Sequence, residues 1–512
     1  GEYWSGTRNI TWSTTDANAN TVEIRLSSDG GATFATVVAA VQSDTGTYAL
    51  DTTEFADGAN YRVRVTATDG AGNVGTAVAS AADFTIDNTD PVIALTAPTG
   101  GQCWSGTNNI TWLTTEANPS TVLIEVSDDS GATFTTLAAA APDAPGGGTY
   151  AFDTTGRNGA NYRVRVTATD LAGNVSVAST SGADFVLDNI APVSALTSPL
   201  GGEHWAGTKN VTWNRTEVNP GTVLVELSAD GGNNYTTLNA NAPDTGSYSF
   251  DTSGRNGANF RLRVTPTDLA GNVGAASASP ANFVIDNTLP VVALTSPTGG
   301  QCWSGTNNIS WLTTEANPST VLIELSDDSG ATFTTLAAAA PDAAGGGTYA
   351  FDTTGRNGAN YRVRVTATDL AGNVGTAAVS PADFSIDNTN PVITLSSPVG
   401  GEFWSGTKNI TWTTTESNPG TVLVEISDNS GATFTTLAAA APDAAGGGTF
   451  AFNTTGRDGA NYRVRLTATD LAGNVGTANV SAADFTIDNT DPDLTITSPA
   501  GGEVWGGTHN IT

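Results

Sequence analysis

Tryptophan recurs in this chain at a fixed interval. Trp4, Trp104, Trp205, Trp303, Trp404 and Trp505 form one column spaced by about 100 residues, and Trp12, Trp112, Trp213, Trp311 and Trp412 form a second. Together they account for all 11 tryptophans, so none is left over for a singular binding site. Self-similarity at a fixed period means one structural unit used repeatedly, and this period is the length of a single small domain. The 512 residues therefore divide into repeats at 1–90, 91–190, 191–289, 290–389 and 390–490, with 491–512 opening a sixth. The second and fourth copies are nearly identical.

Within the second copy, apolar residues alternate with period two, the signature of half-buried strands. The alternation predicts strands over 92–97, 109–114, 121–127, 134–139, 149–153, 161–169 and 184–188. In the sixth of these, Tyr162, Val164, Val166 and Ala168 face one way, while Arg163, Arg165 and Thr167 face the other. Gly, Asn, Asp and Pro punctuate every junction, and no segment has helical periodicity. Seven short strands in about 100 residues make a Greek-key sandwich. The fold class is all-β, a tandem array of seven-stranded sandwiches. The first copy lacks its opening strand, and 493–512 supplies such a strand with no domain to complete it. A chain without any methionine that starts and stops this way is expected to be a window on a longer, self-continuing fibre, with strand donation between copies as the alternative.

These residues carry a family resemblance. Trp112 and Tyr162 resemble the fibronectin type III pattern, the tyrosine standing like a tyrosine corner. The phrase LTSPTGGQCWSGTNNISW (294–311) resembles the opening of Ig-like repeats in bacterial and archaeal secreted proteins, which are related to the Ser–Thr-rich Ig-like family of fungal cell walls. The phrases TATDLAGNVG and FSIDNTNPV are similar to the bacterial Ig-like repeats of long surface adhesins. The resemblance covers the whole chain and implies an extracellular, cell-surface setting.

Charge narrows the partners. The net charge is −31, and Lys209 and Lys408 are the only lysines. Such a surface repels phosphate backbones and anionic lipid, so nucleic acid is excluded as a partner. No apolar run approaches the ~20 residues of a membrane helix, so no membrane insertion is expected in this segment. Cations are favoured instead.

One motif invites a catalytic reading. The stretches 27–34 (SSDGGATF), 127–134 (SDDSGATF), 228–235 (SADGGNNY), 326–333 (SDDSGATF) and 427–434 (SDNSGATF) follow the Asp-box hairpin of sialidase propellers. Propeller blades recur every ~40–50 residues, whereas these boxes recur once per sandwich. They read as hairpin turns, with Asp129 and Ser130 favouring the turn and Gly131 supplying its backbone angles. Neither histidine, His204 or His509, sits with a nucleophile, and the carboxylates repeat without a single cleft. No enzyme is expected.

The acidic loops repeat too. Asp16, Glu116, Glu217, Glu315 and Glu416 follow the second strand of each copy. Asp69, Asp170, Asp268, Asp369 and Asp470 follow the sixth, each with an asparagine four residues on, at Asn73, Asn174, Asn272, Asn373 and Asn474. In a seven-strand sandwich these loops share one pole, which meets the linker from the preceding copy: Asp87-Asn88, Asp188-Asn189, Asp286-Asn287 or Asp387-Asn388. A further pair, Asp488-Asn489, follows the fifth copy. Carboxylates and amide carbonyls converging on one junction suit Ca²⁺, a hard cation taking six to eight oxygens. The resemblance implies the same, since related adhesin repeats are stiffened by calcium at such junctions. The alternative reading is that Asp and Asn simply form Asx-turns.

Two further features are bland. Cys103 and Cys302 occupy equivalent places two repeats apart, too far for the ~7 Å Cα separation of a disulfide if the chain is a rod. They read as buried small hydrophobes or as staples to a neighbouring chain. Asn9, Asn109, Asn210, Asn308, Asn409 and Asn510 open N-x-[ST] sequons that are also ordinary outward-facing strand positions. The expected function is a structural, non-catalytic segment of a cell-surface filament, stalk or adhesin, acting as a rigid repeat rod. Its partners would be other copies of itself, polysaccharide or a cell-surface ligand. The alternative is a polysaccharide-binding array or an accessory region of a secreted hydrolase.

Overall fold

The computed structural model describes the backbone of residues 1–512 and the side chains of all but Ala19 and Asn20. It is all-β, with one 3₁₀ turn at Thr52–Glu54. Each residue set recurs as a pair of packed sheets, so the fold is a tandem series of sandwiches.

In the second copy the strands are β1 (Val92–Ala97), β2 (Cys103–Trp104), β3 (Thr107–Thr115), β4 (Pro119–Ser127) and β5 (Thr135–Pro142). They continue with β6 (Gly148–Asp153), β7 (Gly159–Asp170), β8 (Ser179–Thr180) and β9 (Phe185–Leu187). One sheet runs β6-β3-β1 and the other β2-β9-β7-β4-β5, with β8 also on β7. All pairs are antiparallel except β2 with β9, which is parallel. Alternation decides the faces. Along β7, Tyr162, Val164, Val166 and Ala168 are buried and meet Ile110, Trp112, Ile124 and Phe152 from the other strands. Burying such side chains is worth about 1.5–3 kcal/mol each, which is what holds two small sheets together.

The seven expected strands are present, and β2 and β8 were not expected. The chain leaves the first sheet after β1 and crosses to the second, where it lays β2 beside β9. That crossing needs glycine: Gly100 has φ +113°, and a Cβ there would stand 2.6 Å from the Ala183 Cβ. The tryptophan of the first column sits on this short strand and packs on Phe185, ring centroids 5.2 Å apart. The aromatic beside that tryptophan in the fifth copy lies outside the core. Phe403, in the position of Cys103, is 78% exposed.

By packing, the chain divides into two units. One comprises Gly1–Gly202, Asn210–Phe250 and Ala258–Phe283, and the other Glu203–Lys209, Asp251–Gly257 and Val284–Thr512. In the first unit, the first copy has only Thr7–Thr11 and Thr47–Asp51 in its smaller sheet. The place of β1 is a cleft of about 900 Å³, lined by Ile10, Trp12, Val63, Val65 and Phe84 among others. In the second unit, residues 491–512 form no strand, and Leu494 and Ile496 are exposed. An isolated strand has no partner for its backbone groups, so the pattern alone does not make one.

Candidate metal centres at the repeat junctions

Three acidic groups form where one copy hands over to the next. Asp188, Glu217 and Asp268 lie in the first unit, and Asp286, Glu315 and Asp369, and Asp387, Glu416 and Asp470, in the second. Within each group one carboxylate oxygen per residue lies within 4.8 Å of the others. The topology explains the convergence. Asp188 directly follows β9, its backbone N–H donating to the Trp104 carbonyl at 2.9 Å, so β2 fixes the start of the linker. Glu217 belongs to the next copy, between strands Thr208–Arg215 and Pro220–Ser228. Asp268 closes that copy's longest strand, Gly257–Asp268.

Asparagine amides hold these carboxylates in place. Asn272 donates its Nδ2 to Asp268 Oδ2 and to the Asp188 carbonyl, both at 2.7 Å, and its backbone N–H to Asp268 Oδ1 at 2.8 Å. Asn219 donates Nδ2 to Asp188 Oδ2 at 3.1 Å and its backbone N–H to Glu217 Oε1 at 2.7 Å. Asn317 with Asn373, and Asn418 with Asn474, repeat the scheme. Asn118, Asn219, Asn317 and Asn418 were missed in the sequence. Their signal was the recurring E-x-N-P, which is easily taken for a turn.

The expected ligands divide four ways. The nine carboxylates above come together. At the first junction Asp87, Glu116 and Asp170 have the matching bonds from Asn118 and Asn174. Among the described residues, however, they are not one of the groups that close to that distance. The linker asparagines are used elsewhere. Asn189 Oδ1 accepts from the Gly106 N–H at 2.9 Å and from Thr154 Oγ1 at 3.2 Å, and its Nδ2 donates to the Thr154 and Arg157 carbonyls. Asn88, Asn287 and Asn388 make the corresponding bonds. These side chains clamp the linker to the sandwich it leaves. Asn174, Asn272, Asn373 and Asn474 turn their Nδ2 donors toward carboxylates and so position them.

Charge makes the groups chemically suggestive. Asp188, Asp268, Asp286, Asp369, Asp387 and Asp470 are all buried. Two carboxylates about 4 Å apart repel by roughly 4 kcal/mol at an effective dielectric of 20, so a cation among three of them would be favoured electrostatically. An all-oxygen donor set selects a hard one. The residues present can hold a metal ion. The two thiols stand in the same field. Burial, then the charges of Asp188, Asp268 and Glu217, push Cys103 up to about 11. Cys302 is pushed up to about 11 by burial, then by Asp387, Asp470 and Glu416. Both are free and half-buried.

The remaining candidates are structural. In the Asp-box hairpin, Asp129 accepts from Ser127 Oγ, the Thr133 N–H and Thr133 Oγ1 at 2.6–2.8 Å, and Gly131 has φ +90°. The carboxylate closes its own turn. The aromatic ring of that hairpin is covered: the Arg165 guanidinium lies 4.1 Å from the Phe134 centroid and pairs with Glu125 at 2.8 Å. No helix of the described residues is long and apolar enough to cross a membrane.

No protein-family model matches the chain, and no curated protein matches it. Among solved structures it is similar to a tetra-tandem repeat from the extending region of a large adhesion protein, at 24% identity and a TM-score of 0.31, over 78% of this chain and 100% of that one. It is similar to immunoglobulin domains 1–5 of Sidekick-1, at 12% identity and a TM-score of 0.25, over 96% of each chain. A third is Salmonella alpha-2-macroglobulin reacted with methylamine, at 12% identity and a TM-score of 0.16, over 95% of this chain and 39% of that one.

Proposed function

We propose that this chain is a non-catalytic spacer segment of an extracellular filament, stalk or adhesin, with calcium stiffening its junctions. The observation that carries the reading is the thrice-repeated group of two buried aspartates and one half-buried glutamate at the hand-over between copies. Each group takes one member from the end of one copy and two from the loops of the next, so an ion bound there ties neighbours together. The sheets, the hairpins and the linker clamps recur from copy to copy, and a molecule built from recurring parts is suited to length rather than to a single reaction. The domain limits at 1–90, 91–190, 191–289, 290–389 and 390–490 belong to the same proposal, as do self-association and surface-ligand binding. The acidic, lysine-poor composition supports the extracellular setting. A polysaccharide-binding array is disfavoured by the arginine-covered ring at each hairpin.

Calorimetry on the 512-residue chain tests the metal. We expect calcium to bind at three sites, to raise the melting temperature by mass action, and to lose one site in a Glu217→Gln, Asp268→Asn variant. A flat titration, with melting and small-angle scattering unchanged by a chelator, would overturn the proposal.

A further inference from the structure

Each repeat enters its longest strand through a residue pair ending in glycine. The pairs are Asp57-Gly58, Asn158-Gly159, Asn256-Gly257, Asn357-Gly358 and Asp458-Gly459. The glycine is required in four of them: φ is +152° at Gly159, +153° at Gly257 and +155° at Gly358 and Gly459, values that L side chains rarely adopt. The residue before it is exposed in every copy and has one shared task. Asn158 Oδ1 accepts the backbone N–H of Asn189 at 2.7 Å, Asn256 Oδ1 that of Asn287 at 2.7 Å, and Asn357 Oδ1 that of Asn388 at 2.7 Å. Asp57 Oδ1 does the same for Asn88 at 2.8 Å, and Asp458 Oδ1 for Asn489 at 2.7 Å. That task needs only an acceptor oxygen, so carboxamide and carboxylate are interchangeable in it, although Asn357 also donates Nδ2 to Thr389 Oγ1 at 3.3 Å.

An exposed asparagine before glycine is an electrophile beside a nucleophile that carries no side chain, here the first ladder residue of the strand, with Gly159 opposite Leu187 and Gly358 opposite Ile386. We propose that Asn158, Asn256 and Asn357 are self-modification sites that convert to aspartate and isoaspartate in the folded protein. In the second copy the Gly159 amide nitrogen attacks Asn158 Cγ. The N–Cγ bond forms, the Cγ–Nδ2 bond breaks, and Nδ2 leaves as ammonia with the proton lost from the glycine nitrogen. Water then opens the cyclic imide at one of its two carbonyls, giving aspartate if the N–Cγ bond breaks and isoaspartate if the main-chain bond breaks. Nothing is oxidised or reduced. Gly159 is the first residue of β7, where strand ends open at little cost.

The two products differ in effect. Aspartate keeps the oxygen that accepts the Asn189 N–H. In the first copy the carboxylate gains a second bond, from Thr89 Oγ1 to Asp57 Oδ2 at 2.5 Å, and threonine stands at the same place, as Thr288 and Thr389, beside 256 and 357. Ile190, with no hydroxyl, stands there beside 158. Isoaspartate inserts a methylene into the main chain beside the linker clamp and displaces the acceptor.

The intact 512-residue chain, aged in mildly alkaline buffer, is mapped by peptide mass spectrometry with enzymatic methylation of isoaspartate. Loss of the carboxamide is expected at 158, 256 and 357. Asn109, Asn308 and Asn409, which precede isoleucine, should keep theirs. Retention of all three carboxamides over a period in which the denatured chain converts would overturn the proposal. The Asn158→Asp, Asn256→Asp, Asn357→Asp triple variant should keep the melting temperature of fresh protein, and a lowered one would refute the interchangeability on which the inference stands.

Discussion

Asp129 and Asn429 close equivalent hairpins with different charge. Asp129 is held down at about 2, first by the Thr133 hydroxyl, then by its N–H and by Ser127 Oγ. Asn429 accepts from Ser427 Oγ and the Thr433 N–H and donates Nδ2 to Thr433 Oγ1. A carboxyl held below its usual value of 3.8 contributes stability that is full above that value and lost as pH falls through the folded one. Acidification from about pH 4 to about pH 2 should therefore shift the Thr133 amide resonance and leave that of Thr433 in place, and equal shifts would count against this account. The clamp asparagines allow a second test. Asn189→Ala removes bonds to Gly106, Thr154 and Arg157, and should cost about 1–3 kcal/mol in denaturant unfolding. Calcium stoichiometry should not change, because Asn189 faces its own sandwich. Residue type showed that Asn189 and Asn272 were polar junction residues. Which atom donates and which neighbour receives depends on two loops about 80 residues apart in sequence, and no local pattern records that.

At the scale of elements, the long strands were legible because each buries alternate side chains, and β2 was not because two residues have no period. Its partner choice is tertiary: Gly100 lets the chain cross, and β9 supplies the free edge. The glycine before β2 can be separated from its neighbour by experiment. Gly101→Ala meets nothing within 4 Å but sits at φ +76°, and should cost about 1–2 kcal/mol of left-handed strain. Gly100→Ala adds overlap with Ala183 to comparable strain, so its denaturation midpoint should fall further. Equal losses would mean the crossing tolerates a side chain. The junction carboxylates lie between these extremes. Their clustering at one pole followed from strand count and loop order, whereas the closure of three groups and not of the first came only from packing.

For the whole molecule, the repeat period and the missing opening strand of the first copy were both legible, because each is read by laying the copies side by side. The open cleft beside Trp12 leaves the first copy's core part-covered, while Trp112 is 2% exposed. Calorimetry of this chain should show an early melting transition, raised by a peptide with the sequence of residues 90–98 (DPVIALTAP) added in trans. A single transition indifferent to the peptide would disprove the assignment. The parallel pair of β2 and β9 has a consequence of another kind. Tension drawn through the chain pulls these two strands in opposite directions along a common axis. The bonds from Val186 N–H to the Gln102 carbonyl at 2.8 Å and from Asp188 N–H to the Trp104 carbonyl at 2.9 Å are then strained together in shear, not unzipped in turn. The same two-bond latch recurs from Asp87 to Trp4, Asp286 to Trp205, Asp387 to Trp303 and Asp488 to Trp404. Under such a load the latches would act as like fuses in series, each yielding abruptly and releasing the folded length of its own sandwich.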